Sequence, residues 1–231
     1  MKKLACFILC YEITKGMKSF GPKGLLKSKK SKELINCQIA NIIDKNIDIF
    51  VIVGFGNDRI KKKIDYKNIN VINNDLYDIA NQGYAMELIL SNYDSSKYDG
   101  CIIINNGILF NNIVKEIIVD NINLSKIFYV KKKNTDKKTN FHIGCSVNDS
   151  YIEHMFFNLT DNVWNEIVYL DTKTVDIYKN LYNKTMRNMF LFELINKTIE
   201  LGVKYEPIRL KSNYVVKIIN SKDSEKIKEK I

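Results

Sequence analysis

The stretch that most constrains this chain is Lys15-Gly16-Met17-Lys18-Ser19-Phe20-Gly21-Pro22-Lys23-Gly24-Leu25-Leu26, because of what flanks it. It follows a short apolar run, Leu4–Cys10, and precedes a helical pattern, Ser31–Lys45. An apolar run, a glycine- and lysine-rich turn and then a helix has the form of a phosphate-holding loop. Glycines let the backbone approach an anion, free N–H groups point inward, and lysines neutralise charge. The same residues also suit an ordinary strand-to-helix connection with solvated lysines, and this stretch alone does not separate the two.

The rest of the chain alternates in the same way. Leu4–Cys10 is apolar at every position, as a central parallel strand must be. The following pattern carries Leu34, Ile35, Ile39, Ile42 and Ile43, which gives a helix one buried face. Asp48–Gly54 reads as a second buried strand. Gly54-Phe55-Gly56 would open a dinucleotide fingerprint, but its third glycine would fall at Arg59, so the match fails. Asp58–Lys63 reads as a short helix, Asn70–Asn73 as a third strand, Asn74–Gln82 as a polar turn and Ala80–Ser91 as a helix. Gly100–Ile104 is another apolar strand. It ends in Asn105-Asn106-Gly107, before Ile108–Phe110 and a helix over Asn112–Asn121. This succession predicts an α/β fold with a mostly parallel sheet and right-handed crossovers. Ligands in such folds bind beyond the carboxyl ends of the strands, which here are followed by the loops after Cys10, Asn73 and Ile104.

Further on, Phe128–Val130 and His142–Ser146 are expected to pair as antiparallel strands. Thr174–Leu181 and Met186–Leu201 are expected as helices, the second capped by Gly202. Tyr205–Leu210 and Tyr214–Ile219 read as closing strands, and Asp223–Ile231 as a charged last helix. With no repeat and no Pro-, Gly- or Ser-rich linker, one domain over 1–231 is expected.

The net charge is +10, which favours polyanions or phosphorylated ligands. Lysine supplies most of it; Arg59, Arg187 and Arg209 are the only arginines, so bidentate reading of DNA bases is not favoured. The lysine clusters at 27–32, 61–63 and 131–138 lack interleaved aromatics, which argues against nucleic acid. Lys131–Lys138 reads as a solvated hairpin turn. The five cysteines, odd in number and mostly in apolar contexts, read as reduced core residues of a cytoplasmic protein. His142 and His154 are too sparse for a metal cluster. No apolar run approaches the roughly 20 residues of a membrane span. The N-terminal apolar run is followed by Tyr11-Glu12 rather than a small-residue cleavage site, and reads as a strand.

Several separated stretches resemble one known pattern. The chain is similar to nucleotidyltransferases of the glycosyltransferase-A-like fold, the group that includes sugar-1-phosphate and phosphocholine nucleotidyltransferases. Their opening loop runs glycine-x-glycine-x-arginine-methionine, then proline-lysine and a leucine; Met17 to Leu25 resembles its second half. Val51-Ile52-Val53-Gly54-Phe55 resembles the family's second strand and turn. Asn73 to Asn81, followed by Ala85-Met86, resembles its asparagine-tyrosine-asparagine segment. Ile102–Phe110 lies where the family has an apolar strand ending in glycine-aspartate. Phe192-Glu193-Leu194-Ile195-Asn196 resembles its late helix, and Val216–Asp223 its closing strand. The resemblance implies a three-layer α/β/α domain with a mostly parallel mixed sheet, like that of nucleotide-diphospho-sugar transferases. It implies transfer of NMP from a nucleoside triphosphate to a phosphorylated sugar or alcohol, with release of pyrophosphate and Mg²⁺ as cofactor. It implies that Lys23 neutralises the α-phosphate or the incoming phosphate. Lys15, Gly16, Met17 and Lys18 would lie along the triphosphate, Asn81 near the base or acceptor end, and Glu193 in the acceptor half.

The departures bear on chemistry. The loop's early glycines are missing, and its arginine position falls on Gly16. The two metal-binding aspartates align with Gly107 and Ile219, which offer Mg²⁺ no carboxylate. Asn106, Asp75 and Asp223 are the candidates left for holding a metal. Two readings therefore stand: a divergent transferase, or a degenerate member that keeps the cleft and binds a nucleotide, a sugar phosphate or another protein without turnover.

Overall fold

The computed structural model describes residues 2–13, 21–27, 32–131, 142–157 and 160–218. Strand β1 (Leu4–Cys10) is buried at every position and lies between β2 (Ile47–Val53) and β4 (Gly100–Asn105), both parallel to it. Strand β3 (Asn70–Asn73) extends the parallel set beyond β2. On the other side β9 (Asn162–Asp171) runs antiparallel to β4. It is followed by β6 (Lys126–Lys131) and then by β10 (Glu206–Arg209), which is parallel to β6. The order among the described residues is β10-β6-β9-β4-β1-β2-β3. Strands β7 (Ile143–Val147) and β8 (Ile152–Phe157) form a hairpin that joins the sheet through β9.

The two faces of β1 feed two cores. Leu4, Cys6, Ile8 and Cys10 pack with α1 (Leu34–Ile42), α2 (Asn57–Lys61) and α4 (Ile113–Asp120) through Ile35, Ile39, Ile60, Val114 and Ile118. Ala5, Phe7 and Leu9 pack with α3 (Gln82–Asn92), α5 (Thr172–Leu181) and α6 (Leu191–Glu200) through Met86, Ile89, Tyr178, Leu194 and Ile195. Side chains alternate across a strand, so an unbroken apolar run is what an α/β/α sandwich demands of its middle strand. The expected α/β/α fold with a mostly parallel mixed sheet is the one observed.

Two expectations are corrected. Strand β6 does not pair with β7; β6 pairs with β9 and β10, while β7 pairs with β8. Long-range pairing displaced the local hairpin: β6 pairs along the long strand β9, while β7 pairs along β8 and meets β9 at Gly144–Val163. The helix expected over Met186–Leu201 is split into a 3-10 turn, Lys184–Asn188, and α6. The break is fixed by Glu193, whose Oε2 accepts from Phe190 N at 2.7 Å and so starts a new helix there. Gly202 does close α6, at φ +89° with its N–H donating to Ile199 O. The expected helix over Asp223–Ile231 and most of the Lys131–Lys138 run lie outside the described residues.

A separate two-stranded ribbon, β5 (Ile108–Phe110) with β11 (Val215–Lys217), lies beyond the end of β4. It brings a late segment of the chain over the carboxyl ends of the parallel strands.

Candidate functional site

The 3-10 turn Lys23–Leu25 sits directly on the end of β1. A Cβ added to Gly24 would lie 2.5 Å from Cys10 Sγ, so only glycine allows this approach. Lys23 is thereby carried across to the end of β4. Its Nζ lies 3.1 Å from where a Cβ on Gly107 would be. Gly107 is itself clamped by the ribbon, its carbonyl accepting from Ile218 N at 2.8 Å.

Three more charges gather at the same place. Glu12 leaves the end of β1 and is half-buried; its Oε1 accepts from Gln82 Nε2 at 3.3 Å. Gln82 is held in that orientation because its Oε1 accepts from Leu191 N at 2.9 Å. Lys217 is on β11, paired in register with Ile108, and contacts the carboxylate of Glu166. Glu166 precedes Ile167, the residue of β9 paired with Ile104. It sits in a bulge where β9 residues 165, 166 and 167 face β6 residue 128 alone. Its φ is +56°, a left-handed conformation that costs a residue with a Cβ roughly 1–2 kcal/mol. Trp164 braces the bulge, its Nε1 donating to Ile167 O at 3.1 Å.

Electrostatics at this site are unfavourable to the Glu12 carboxylate. Burial raises the Glu12 carboxyl above its ordinary 4.5; Lys23 pulls it down, Glu166 pushes it up, and Gln82 and Lys217 lower it, with burial prevailing. Tyr11 Oη, Asn106 Oδ1 and Asn165 Nδ2 are buried without a hydrogen-bond partner, each at a cost of about 1–3 kcal/mol.

Glu12 also faces a cavity of about 350 Å³, lined by Tyr11, Tyr77, Asn81, Gln82 and Phe190 among others. Tyr77 and Tyr11 flank Gly54, where a Cβ would lie 2.6 Å and 2.9 Å from theirs. Asn81 caps α3 and is tied to the 3-10 turn: its N–H donates to Arg187 O and its Nδ2 to Asn188 O, each at 3.1 Å. Arg187 is anchored in turn by a bidentate pair with Glu87, at 2.7 and 2.6 Å. Gly83 permits the contact, since a Cβ there would lie 1.9 Å from Met186 O. Aromatic walls, amide groups and a volume in the range of small-molecule sites make this half fit to take a ring-bearing ligand.

Of the residues singled out from sequence, Lys23 and Asn106 lie at the ends of β1 and β4, and Asn81 lines the neighbouring cavity that Glu12 borders. Glu193 stands beside Phe190 at the cavity rim, but its carboxylate caps α6. Asp75 is exposed past the end of β3. The strands β1 and β2 intervene between it and β4, roughly 14 Å at the ordinary strand spacing. It is not brought to Asn106. Lys15, Gly16, Met17, Lys18, Ile219 and Asp223 lie outside the described residues. Sequence reasoning missed Glu12, Gln82, Glu166 and Lys217. Asn165-Glu166 was visible as a polar pair interrupting an apolar run; Lys217 carried no local signal.

The donor set at Asn105–Gly107 does not suit Mg²⁺, which favours carboxylate oxygens. Asn105 Oδ1 accepts from Gly107 N, Asn106 offers one neutral oxygen, and Gly107 offers none and has an ammonium against it. Among the described residues no group of three His, Cys, Asp or Glu could hold a metal. Nor, among them, is any helix long and apolar enough to cross a membrane.

No protein-family model matches the sequence, nor does any curated protein. Solved structures do match. A CTP:phosphocholine cytidylyltransferase from Streptococcus pneumoniae superposes with a TM-score of 0.77, covering 98% of both chains at 15% identity. An inositol-1-phosphate CTP transferase from T. maritima gives 0.76, covering 98% of this chain and 96% of that one at 12% identity. A nucleoside-diphosphate-sugar pyrophosphorylase from Vibrio cholerae gives 0.68, covering 96% and 98% at 11% identity. Over nearly its whole length the chain carries the fold of these nucleotidyltransferases.

Proposed function

We propose that the chain binds a nucleoside triphosphate and a phosphorylated small molecule, a sugar or alcohol phosphate, in this cleft and transfers NMP between them. The observation that carries this reading is the ammonium of Lys23 beside Gly107, at the ends of β1 and β4. An acceptor phosphate oxygen would bond to the α-phosphorus as the bond from that phosphorus to the bridging oxygen breaks and pyrophosphate leaves. Such a reaction depends on positioning and charge neutralisation. Lys23 neutralises charge on the α-phosphate or the attacking phosphate, and the Tyr11–Tyr77 half holds the base or acceptor. The names of the superposing structures, which act on CTP, phosphocholine and inositol phosphate, support this substrate class. The five buried cysteines suit the reducing cytoplasm.

A second reading, binding without turnover, is favoured by one specific observation: the ammonium of Lys23 lies against Gly107, where the resemblance would place a metal-binding aspartate. Pyrophosphate release across a panel of nucleoside triphosphates and phosphorylated acceptors, with added Mg²⁺ or Mn²⁺, decides between them. Turnover that is strongly reduced in Lys23→Ala supports the transferase. Nucleotide-dependent thermal stabilisation without turnover, unchanged by chelator, supports the binder. A melting temperature that no nucleotide or sugar phosphate moves sinks both.

A further inference from the structure

We propose that Lys217 is a second anion-binding residue of the cleft, and that it takes a ligand phosphate by exchanging the carboxylate of Glu166 for it. The inference rests on the reading of the cleft as a phosphate site and goes beyond it, since nothing about Lys23 requires a second lysine.

Three independent observations support the exchange. First, the ribbon sets Lys217 opposite Ile108, one residue from Gly107, while Lys23 reaches Gly107 from the other end of the chain. Two ammoniums thus flank the strand end where phosphate is expected and where the donor set does not suit Mg²⁺. Second, Glu166 is held at a position that glycine would occupy more cheaply, in a bulge that departs from the ladder. Strain of this kind marks a residue kept for something other than the fold. Third, Glu166 shares the cleft with a second carboxylate, Glu12. It repels Glu12, and the polar atoms Asn106 Oδ1 and Asn165 Nδ2 lie buried without partners at the same strand ends.

The Glu166 carboxylate therefore acts as an internal substitute for the ligand's anion. It orients Lys217, and it keeps two neighbouring ammoniums from facing each other without a counter-charge. A phosphate that enters between Lys23 and Lys217 replaces one carboxylate with a group of higher charge and more acceptor oxygens. The two carboxylates and two ammoniums cancel before binding, so selectivity for a multiply charged anion follows from the exchange.

The test is binding of inorganic pyrophosphate, in chelator, measured by calorimetry on the full chain. Glu166→Gln is nearly isosteric and frees Lys217; it is expected to tighten pyrophosphate about tenfold, and Lys217→Met to weaken it by at least that factor. Lys217→Arg restores binding, because charge at that point is what matters. A merely structural pair would instead lower the melting temperature of Glu166→Gln and Lys217→Met alike and leave affinity unmoved. If the parent chain binds pyrophosphate and Lys217→Met binds it equally well, or Glu166→Gln binds it no more tightly, the exchange is refuted and the phosphate cleft stands. If neither the parent nor Glu166→Gln binds pyrophosphate or any nucleoside triphosphate, the cleft reading falls and the exchange with it.

Discussion

The two ends of the sheet carry the same chemistry, lysines against carboxylates, with opposite results. At the amino ends of the strands, Asp48 is surrounded by donors. Lys3 Nζ lies at 3.0 Å and Lys97 Nζ at 2.8 Å, and Tyr98 donates its hydroxyl at 2.7 Å. Burial pushes the Asp48 carboxyl up, but the hydrogen bonds from Lys97, Tyr98 and Lys3 win and bring it to about 2. At the carboxyl ends, two carboxylates share two lysines, burial wins, and Glu12 is raised. One end has more donors than its acid needs and so stabilises the fold. The other is balanced only internally, with strain and unpartnered polar atoms beside it. Charge in excess of need marks a structural cluster, and charge in mutual conflict marks a place where a ligand can improve matters.

The largest test of that contrast exchanges a lysine at each end. Lys23→Ala is expected to weaken nucleotide binding by about ten- to a hundredfold, the loss of one charge-assisted contact, with little change in melting temperature. Lys97→Ala is expected to leave nucleotide affinity unchanged. Calorimetric titration of both variants checks this, and equal losses would erase the distinction between the ends. The next effect belongs to the amino end. Asp48→Asn is expected to cost on the order of 1–2 kcal/mol at neutral pH, reduced for partial solvent screening. In a chain of this size that lowers the melting temperature by several degrees. The folded carboxyl is depressed, so this stability is present above the ordinary 3.8 and is lost as pH falls through about 2. Urea denaturation at pH 7 and near pH 2 should show the gap between parent and variant closing. A gap of constant size would mean that the network's charge is irrelevant.

What could be read in advance divides along the same line. The central strands were legible because burial on both faces requires unbroken apolar runs, and Leu4–Cys10 and Gly100–Ile104 are such runs. Their order then fixes where the carboxyl ends of the parallel strands lie, and Lys23 could be placed there from the turn that carries it. The site's other charges were not legible, because each is local noise until the fold assembles it. Glu166 comes from a bulge that exists only through its register with β6, and Lys217 from a ribbon that pairs across a hundred residues. The β6–β7 hairpin failed for the same reason, since nothing nearby in sequence announces β9 as the partner. Helix α6 began late because Glu193, read as a candidate acceptor ligand, caps it.

The smallest effect sharpens the comparison most, because its sign is opposite at the two ends. The Glu12 carboxyl is raised above its ordinary 4.5 when folded. Below that value both folded and unfolded chains hold the proton. As pH rises above it, the unfolded chain ionises first, so the folded chain binds more protons and stability falls until the folded group ionises too. Glu12→Gln removes that loss and can still accept from Gln82. The variant is expected to match the parent at pH 4 and to be modestly more stable than it at pH 7.5. Its nucleotide affinity at pH 7.5 should also rise, since one negative charge no longer opposes the phosphates. Paired urea titrations at the two pH values check the first expectation and calorimetry the second. A variant less stable than the parent at pH 7.5 would show that Glu12 is satisfied where it stands, as Asp48 is, and that the two ends are built alike.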